Sequence, residues 1–277
     1  MNFYIDSTLV NDDDYVIIEH IFADGRASEI VEQTIAECKN NMGSGYPRAT
    51  INTIAAKEMA DTVEVVVCDA NGTQKSQKFT YSIRQYAMNQ LNKTSDEKLK
   101  ITIVDMLNYG AAAQTYFKYN TADLANNQLT SEQAALATTT FEVTNANQVL
   151  GTNAAGTTLS LESNILLSAY FKKIVDSAEG MKAVASFTDH YGNEKTETIT
   201  DFRERTISGT KYIVVDLTSL VVADMKQPVD VVVYNADGSE YGTGTFSIET
   251  YVANNLSNIA VNALAKFATS TYNYFHK

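Results

Sequence analysis

The 277-residue sequence predicts an α+β fold of two similar modules in tandem, each an antiparallel β-sheet or sandwich followed by a helical hairpin packed on it. Three observations predict it: a diverged internal repeat, glycine-containing turn pairs between apolar runs, and a change from strand to helical spacing after each hairpin. The predicted boundaries are 1–125 for the first module, 126–157 for a connector with a short helix, and 158–277 for the second module.

The repeat is the most specific feature of the sequence. Residues 63–72 (VEVVVCDANG) and 229–238 (VDVVVYNADG) are identical at six of ten positions. The alignment extends upstream at the same offset of 166 residues, and downstream at 165, where Ser82 aligns with Ser247. We therefore expect two diverged copies of one module.

Apolar, β-branched runs that stop at turn residues predict the strands. These runs are Tyr15–Ala23, Val63–Cys68, Lys182–Asp189 and Val229–Tyr234. Asn71-Gly72 and Asp237-Gly238 favour two-residue hairpins, and hairpins imply antiparallel pairing.

The two copies differ at their start. A strand predicted over Thr158–Ala169 opens the second copy and leads into Tyr170-Phe171. The first copy begins at Phe3-Tyr4, which aligns near that aromatic pair. Its opening strand is therefore expected to be missing from this chain or supplied from elsewhere, for instance by Thr139–Val143.

Helices are predicted after each hairpin. Ser82 and Ser247 stand where a hydroxyl can accept a hydrogen bond from an exposed helix amide. Apolar residues at helical spacing follow both, and second helices are expected over 99–117 and 259–275. In the connector, Thr130 and Gln133 form a plausible capping box for a short helix that ends at Ala137.

Composition and charge exclude several classes of function. The net charge is −12, shared equally between residues 1–125 and 126–277, and no basic stripe exists, so nucleic-acid binding is not expected. No apolar stretch approaches the roughly 20 residues that span a bilayer, so no membrane insertion is expected, and no signal peptide is visible.

The two cysteines, Cys38 and Cys68, both lie in the first half of the chain. Position 68 aligns with Tyr234, which favours packing of the cysteines over a disulfide and leaves their pairing open. No metal-type spacing occurs, and no cofactor is expected.

Two segments, LNYGAAAQTYF at 107–117 and YNTADLAN at 119–126, resemble a repeat module of large secreted proteins from anaerobic Gram-positive gut bacteria. Residues 156–165 (GTTLSLESNI) are similar to the opening of the next copy in that family. The resemblance covers nearly the whole chain and implies a secreted or cell-surface setting, without catalytic residues to transfer. The second copy departs from the first string, reading LAKFATS at 264–270.

Catalytic chemistry finds little support in the sequence. None of the three histidines recurs between the copies, and His20 aligns with Phe187, which favours a half-buried core histidine. No nucleophile motif accompanies them. Glu58 and Asp224 recur before a methionine and could form half of a glycosidase pair, but an acid before a strand is typical of a turn or capping residue.

Aromatic residues are the remaining candidates for ligand binding. The chain has 16 Tyr, 11 Phe and no Trp, and Tyr could stack on a sugar ring. Tyr109, Tyr116 and Tyr119 lie near one predicted helix end and are the candidate ligand-binding residues.

The sequence thus favours a non-enzymatic extracellular module for binding, adhesion or spacing, with a host glycoprotein, a glycan or another domain of a longer parent protein as partner. A carbohydrate-binding module is the alternative, and a glycoside hydrolase fragment is a third hypothesis.

Overall fold

The computed structural model describes residues 1–143, 148–161 and 165–276, and it has mixed α and β structure with antiparallel sheets. The chain divides into two compact units. Unit 1 comprises residues 1–95 and 110–134, and unit 2 comprises residues 96–109 and 135–277.

Six strands precede the first long helices. They are β1 (Asn2–Tyr4), β2 (Tyr15–Ile21), β3 (Glu29–Thr34), β4 (Arg48–Thr50), β5 (Thr62–Cys68) and β6 (Phe79–Tyr81). The helices of this part of the chain are α1 (Ile35–Asn40), α2 (Ile83–Lys93), α3 (Glu97–Phe117) and α4 (Ser131–Ala134). A 3-10 turn, Ala56–Glu58, precedes β5. Helix α3 contributes residues 97–109 to unit 2 and 110–117 to unit 1.

Unit 1 contains two sheets that share one apolar core. One sheet has the order β3-β2-β5-β6, and the other consists of β1 paired with β4. Because strand side chains alternate between faces, each sheet turns one apolar row inward. Ile5 and Ile51, which directly follow β1 and β4, share this core with Val16, Ile18 and Val63 of the large sheet.

Unit 2 contains the remaining strands. They are β7 (Val149–Leu150), β8 (Ala154–Ser160), β9 (Leu166–Lys172), β10 (Lys182–Thr188), β11 (Glu194–Ile199), β12 (Arg203–Ile207), β13 (Thr210–Leu217), β14 (Val229–Tyr234) and β15 (Glu240–Phe246). Its helices are α5 (Ile248–Ala253) and α6 (Ile259–Phe275), and a second 3-10 turn spans Val222–Asp224. The sheet orders are β11-β10-β14-β15-β7 and β12-β13-β9-β8. Phe171 and Phe246, one from each sheet, are fully buried with ring centroids 5.8 Å apart.

Most of the predicted local structure is confirmed. Gly72 and Gly238 both adopt a φ of +84° in their turns, a conformation that glycine reaches without strain. Ser82 accepts a hydrogen bond from the Gln85 amide at 3.0 Å, so it is the predicted N-cap. Ser247 caps α5 in the same way, with a donor–acceptor distance of 3.4 Å.

Three predictions about local structure were wrong. The single strand over Thr158–Ala169 is replaced by two antiparallel strands, β8 and β9, and residues 162–164 of that range lie outside the described part of the chain. Residues Thr139–Val143 form no strand, and the Thr139 hydroxyl instead donates to Asp105. The capping box at Thr130 is present, but α4 ends at Ala134 rather than at Ala137.

The predicted module boundaries stay predictions. Of the predicted connector, 126–157, residues 144–147 lie outside the described residues. Cys38 and Cys68 are both buried as free thiols.

Candidate functional site

The three tyrosines predicted from sequence occupy different environments. Tyr109 is buried and stacks on Phe267 within unit 2, with ring centroids 6.2 Å apart, and burial raises the pKa of its phenol. Tyr119 is buried in unit 1, whereas Tyr116 is half exposed. Their role in ligand binding stays a prediction, and only Tyr116 offers solvent an open ring.

Tyr119 belongs to a buried polar cluster in unit 1. Its hydroxyl donates to the Asp61 carboxylate and accepts a hydrogen bond from the Ala23 amide at 3.0 Å. His20 is fully buried rather than half buried, and its Nε2 lies 3.4 Å from Asp61 Oδ2. Burial, and then the hydrogen bond to Asp61, raise the pKa of Tyr119. The cluster is therefore part of the buried interior of unit 1.

The distinctive string around 107–126 also has packing roles. A Cβ atom on Gly110 would lie 2.8 Å from Met59 Sδ, so only glycine allows the two segments to approach this closely. Gln114 is fully buried, and its side chain bonds the backbone of the loop that follows α3. Arg84 clamps Asp123 in that loop through two hydrogen bonds of 2.6 and 2.8 Å.

The repeated acids Glu58 and Asp224 are capping residues, as predicted. Glu58 accepts from the Ala55 amide at 3.0 Å and pairs with Arg26. Asp224 accepts from Val221 at 3.2 Å, and both the amide and the Nδ1 atom of His190 contact it at 2.8 and 2.6 Å. Both carboxylates are almost completely buried, so each is committed to fixing its turn.

A cavity of about 340 Å³ lies in unit 2 between α3, α6 and the segment that links α5 to α6. Its polar lining residues are Asp105, Asn108, Asn262 and Lys266. Burial raises the pKa of Asp105, against hydrogen bonds from Thr139 and Ser270 and the charge of Lys266. Among the described residues that line the cavity none is aromatic, so it offers polar contacts without a stacking surface.

The outer face of the β1–β4 sheet presents an aromatic pair that the sequence argument missed. Tyr4 lies opposite Arg48, so both side chains share the face turned away from the core. Tyr46 precedes Arg48 by two residues and is bridged to Gly43, which places it on the same face by alternation. Tyr4 and Tyr46 are 52% and 50% exposed.

Gly43 and a polar network hold this face together. A Cβ atom on Gly43 would lie 2.8 Å from Tyr4 Cε1, so the ring rests on the hairpin backbone. The Arg48 guanidinium donates to Asn41, and Asn41 Nδ2 donates to Thr50 Oγ1 at 3.3 Å. The face therefore combines two open phenol rings with fixed hydrogen-bonding groups. We call Tyr4, Tyr46, Arg48 and Asn41 the tyrosine face.

No known protein family, curated protein or solved structure matches this chain.

A sequence signal for the tyrosine face exists within the chain. Tyr170 and Tyr212 stand 166 residues after Tyr4 and Tyr46, and their rings make an edge contact with centroids 5.9 Å apart. The alignment that revealed the repeat thus also aligns the two tyrosine pairs.

A second exposed aromatic cluster lies in unit 2. The rings of His190, Tyr191 and Phe275 pack on one another, with centroid separations between 4.0 and 5.5 Å. The Tyr191 and Phe275 rings meet edge-on, His190 is tilted against both, and Tyr191 is 68% exposed.

Within the described residues, no group of three or more histidine, cysteine, aspartate or glutamate side chains could hold a metal ion. None of the described helices combines the length and the apolar character that crossing a bilayer requires.

Proposed function

We propose that the chain is a non-enzymatic binding module made of two diverged copies of one sandwich-and-helix unit, and that its tyrosine face binds carbohydrate. The observation behind this proposal is the half-exposed pair Tyr4 and Tyr46 on a polar sheet face. In keeping with the resemblance noted above, we further propose a secreted or cell-surface setting, with a host glycoprotein or glycan as the partner.

Matching strand registers support the two-copy organisation. Asn2 pairs with Thr50 in unit 1, and Ser168 pairs with Asp216 in unit 2, both partners lying 166 residues further along. The β2–β5 and β10–β14 pairs also correspond, as do the β5–β6 and β14–β15 pairs, with offsets of 165 to 167 residues. A shift of one residue in the pairing of two strands would turn every side chain of a strand to the other face of the sheet. Agreement of the register in these three strand pairings therefore favours duplication over chance.

The first tyrosine of the pair is buried in unit 2 and exposed in unit 1. In unit 2, strands β8 and β12 flank the sheet, and Thr158 and Arg205 contact the Tyr170 hydroxyl at 3.2 and 3.0 Å. Tyr170 is consequently only 4% exposed. In unit 1, the described residues supply no flanking strands for β1 and β4, so the equivalent Tyr4 stays open to solvent.

The chemistry of the tyrosine face suits a neutral sugar. A phenol ring offers an apolar face to the C–H groups of a sugar and a hydroxyl at its edge. Arg48 and Asn41 place further polar groups beside the rings. The net charge of −12 disfavours anionic ligands at long range.

A glycan-array screen of the full chain, followed by calorimetry with the best glycan, tests the proposal. Tyr46→Ala should weaken binding about tenfold, because loss of one aromatic contact costs roughly 1–1.5 kcal/mol. Tyr86→Ala is the matched control, since Tyr86 is a similarly exposed tyrosine of the same unit, on α2.

Three outcomes would contradict the proposal. Unchanged affinity in Tyr46→Ala would remove the tyrosine face from the binding site. Loss of binding in Tyr191→Ala alone would move the site to the aromatic cluster of unit 2. Absence of any glycan ligand for the folded chain would favour a spacer.

A further inference from the structure

We infer that the free edge of β1 binds an extended segment of a partner protein that adds to the sheet as β8 adds to β9. The expected segment is uncharged and consists of small and β-branched residues. This inference rests on the two-copy organisation proposed above.

Strands β1 and β9 differ in the number of described strands that pair with them. In unit 2, β9 lies between β13 and β8. Its counterpart β1 pairs with β4 in the register of β9 with β13, but no strand of the described residues pairs with its other side. None of the described residues therefore forms, beside β1, a strand equivalent to β8 of unit 2.

The backbone of β1 directs hydrogen-bonding groups to this side. Ile51 donates to the Met1 carbonyl and Ile5 donates to the Pro47 carbonyl, both at 3.0 Å, so odd-numbered residues of β1 face β4. By alternation, the amide and carbonyl groups of Asn2 and Tyr4 point to the free edge. Such an edge is a template for another strand, and charged residues or proline usually protect it. Neither occurs in β1.

Exposed aromatic residues adjoin the same edge. Phe79 is half exposed, and its ring lies 6.5 Å from Phe3 and 5.4 Å from Tyr81. By strand register Phe79 corresponds to Gly244, where a Cβ atom would lie 3.2 Å from the Ala154 side chain of β8. A segment docked on β1 would therefore pack directly against Phe79, whose ring stands where unit 2 has no side chain, so its residue at that place has to be small.

Strand β8 shows the chemistry of a suitable occupant. Its residues, AAGTTLS, carry no charge, and Thr158 lies opposite Ser168 while its hydroxyl contacts that of Tyr170. A threonine at the same place in a docked segment would reach the Tyr4 hydroxyl. Main-chain hydrogen bonds give affinity in this mode of recognition, and alternate side chains give specificity.

The probe for the experiment is a synthetic peptide with residues 151–161 of this chain (GTNAAGTTLSL), added to the full-length protein. We expect saturable binding and at least tenfold slower hydrogen exchange of the Asn2 and Tyr4 amides, measured by NMR. The matched control peptide carries Thr158→Pro, which removes the amide that pairs at the centre of the strand, and should bind at least tenfold more weakly.

The two proposals can fail separately. Tyr46→Ala should weaken glycan binding about tenfold and leave peptide binding unchanged, because Tyr46 lies in the segment that leads into β4, which pairs with the opposite side of β1 from the free edge. Equal binding of both peptides, or no slowing of exchange at Asn2 and Tyr4, would overturn the inference. Protection of these amides without peptide, together with self-association of the chain, would assign the edge to a second copy and overturn the inference as well.

Discussion

Replacing Tyr119 with phenylalanine tests whether the distinctive string after α3 stabilises unit 1. The change keeps the ring, which is 6% exposed, and removes only the hydroxyl. Without it, the buried Asp61 carboxylate loses a hydrogen-bond donor and the Ala23 amide loses its acceptor. We expect a large loss of stability from this one atom.

The magnitude follows from the two hydrogen bonds. A hydrogen bond to a charged group contributes about 1.5–3 kcal/mol, and the part-buried amide adds about 1 kcal/mol. The free energy of unfolding should therefore fall by about 3 kcal/mol. With a urea dependence of about 2 kcal/mol per molar, the midpoint falls by about 1.5 M.

Urea unfolding followed by tyrosine fluorescence and circular dichroism measures this change. Tyr116→Phe is the control, because that tyrosine is half exposed and its hydroxyl has no described partner. Its midpoint should move by less than the equivalent of about 0.5 kcal/mol. Equal effects of the two substitutions would refute the assigned role of the buried cluster.

Two further predictions follow from other parts of the chain. Burial acts to raise the pKa of Asp189, but hydrogen bonds within its turn outweigh burial and lower the pKa to about 2. Since that value lies below the roughly 3.9 of an unfolded aspartate, Asp189 stabilises the fold above about pH 4, and this contribution is lost as the pH falls through about 2. Asp189→Asn should flatten the acid limb of a stability–pH curve measured by urea unfolding, and an unchanged slope between about pH 4 and 2 would contradict this role. Gly110→Ala should lower stability by about 1–3 kcal/mol in thermal or urea unfolding, because the new methyl group meets Met59 Sδ at 2.8 Å. A stabilisation of about 1 kcal/mol, the usual effect of replacing a helical glycine with alanine, would contradict this close packing, and the exposed control Gln85→Ala should change stability by less than about 0.5 kcal/mol.

Local structure was largely predictable because its causes are local. The turns at Gly72 and Gly238 need positive φ, and a serine before a helical run caps that helix, whatever surrounds them. The strand predicted over 158–169 failed for the opposite reason. A continuous run of apolar and β-branched residues fits one long strand as well as a hairpin, and only the pairing of β8 with β9 decides between them.

The candidate site was predictable only in part. Tyrosines near a helix end looked available, but burial of Tyr109 and Tyr119 depends on residues far away in sequence, such as Phe267 and Asp61. The Tyr4–Tyr46 pair was visible only as an aligned position in the repeat. Tyr4 is exposed because no described strand flanks the β1–β4 sheet, whereas β8 and β12 flank the corresponding strands β9 and β13 in unit 2.

Residue type and local spacing were enough to predict the hairpin turns, the helix caps and most of the strands and helices, and direct comparison of segments revealed the internal repeat. The burial of Tyr170, the exposure of Tyr4 and the lack of a second described strand beside β1 follow from tertiary structure. Burial and edge exposure are properties of neighbouring strands, and β8 and β12 cover Tyr170 while no described strand covers Tyr4.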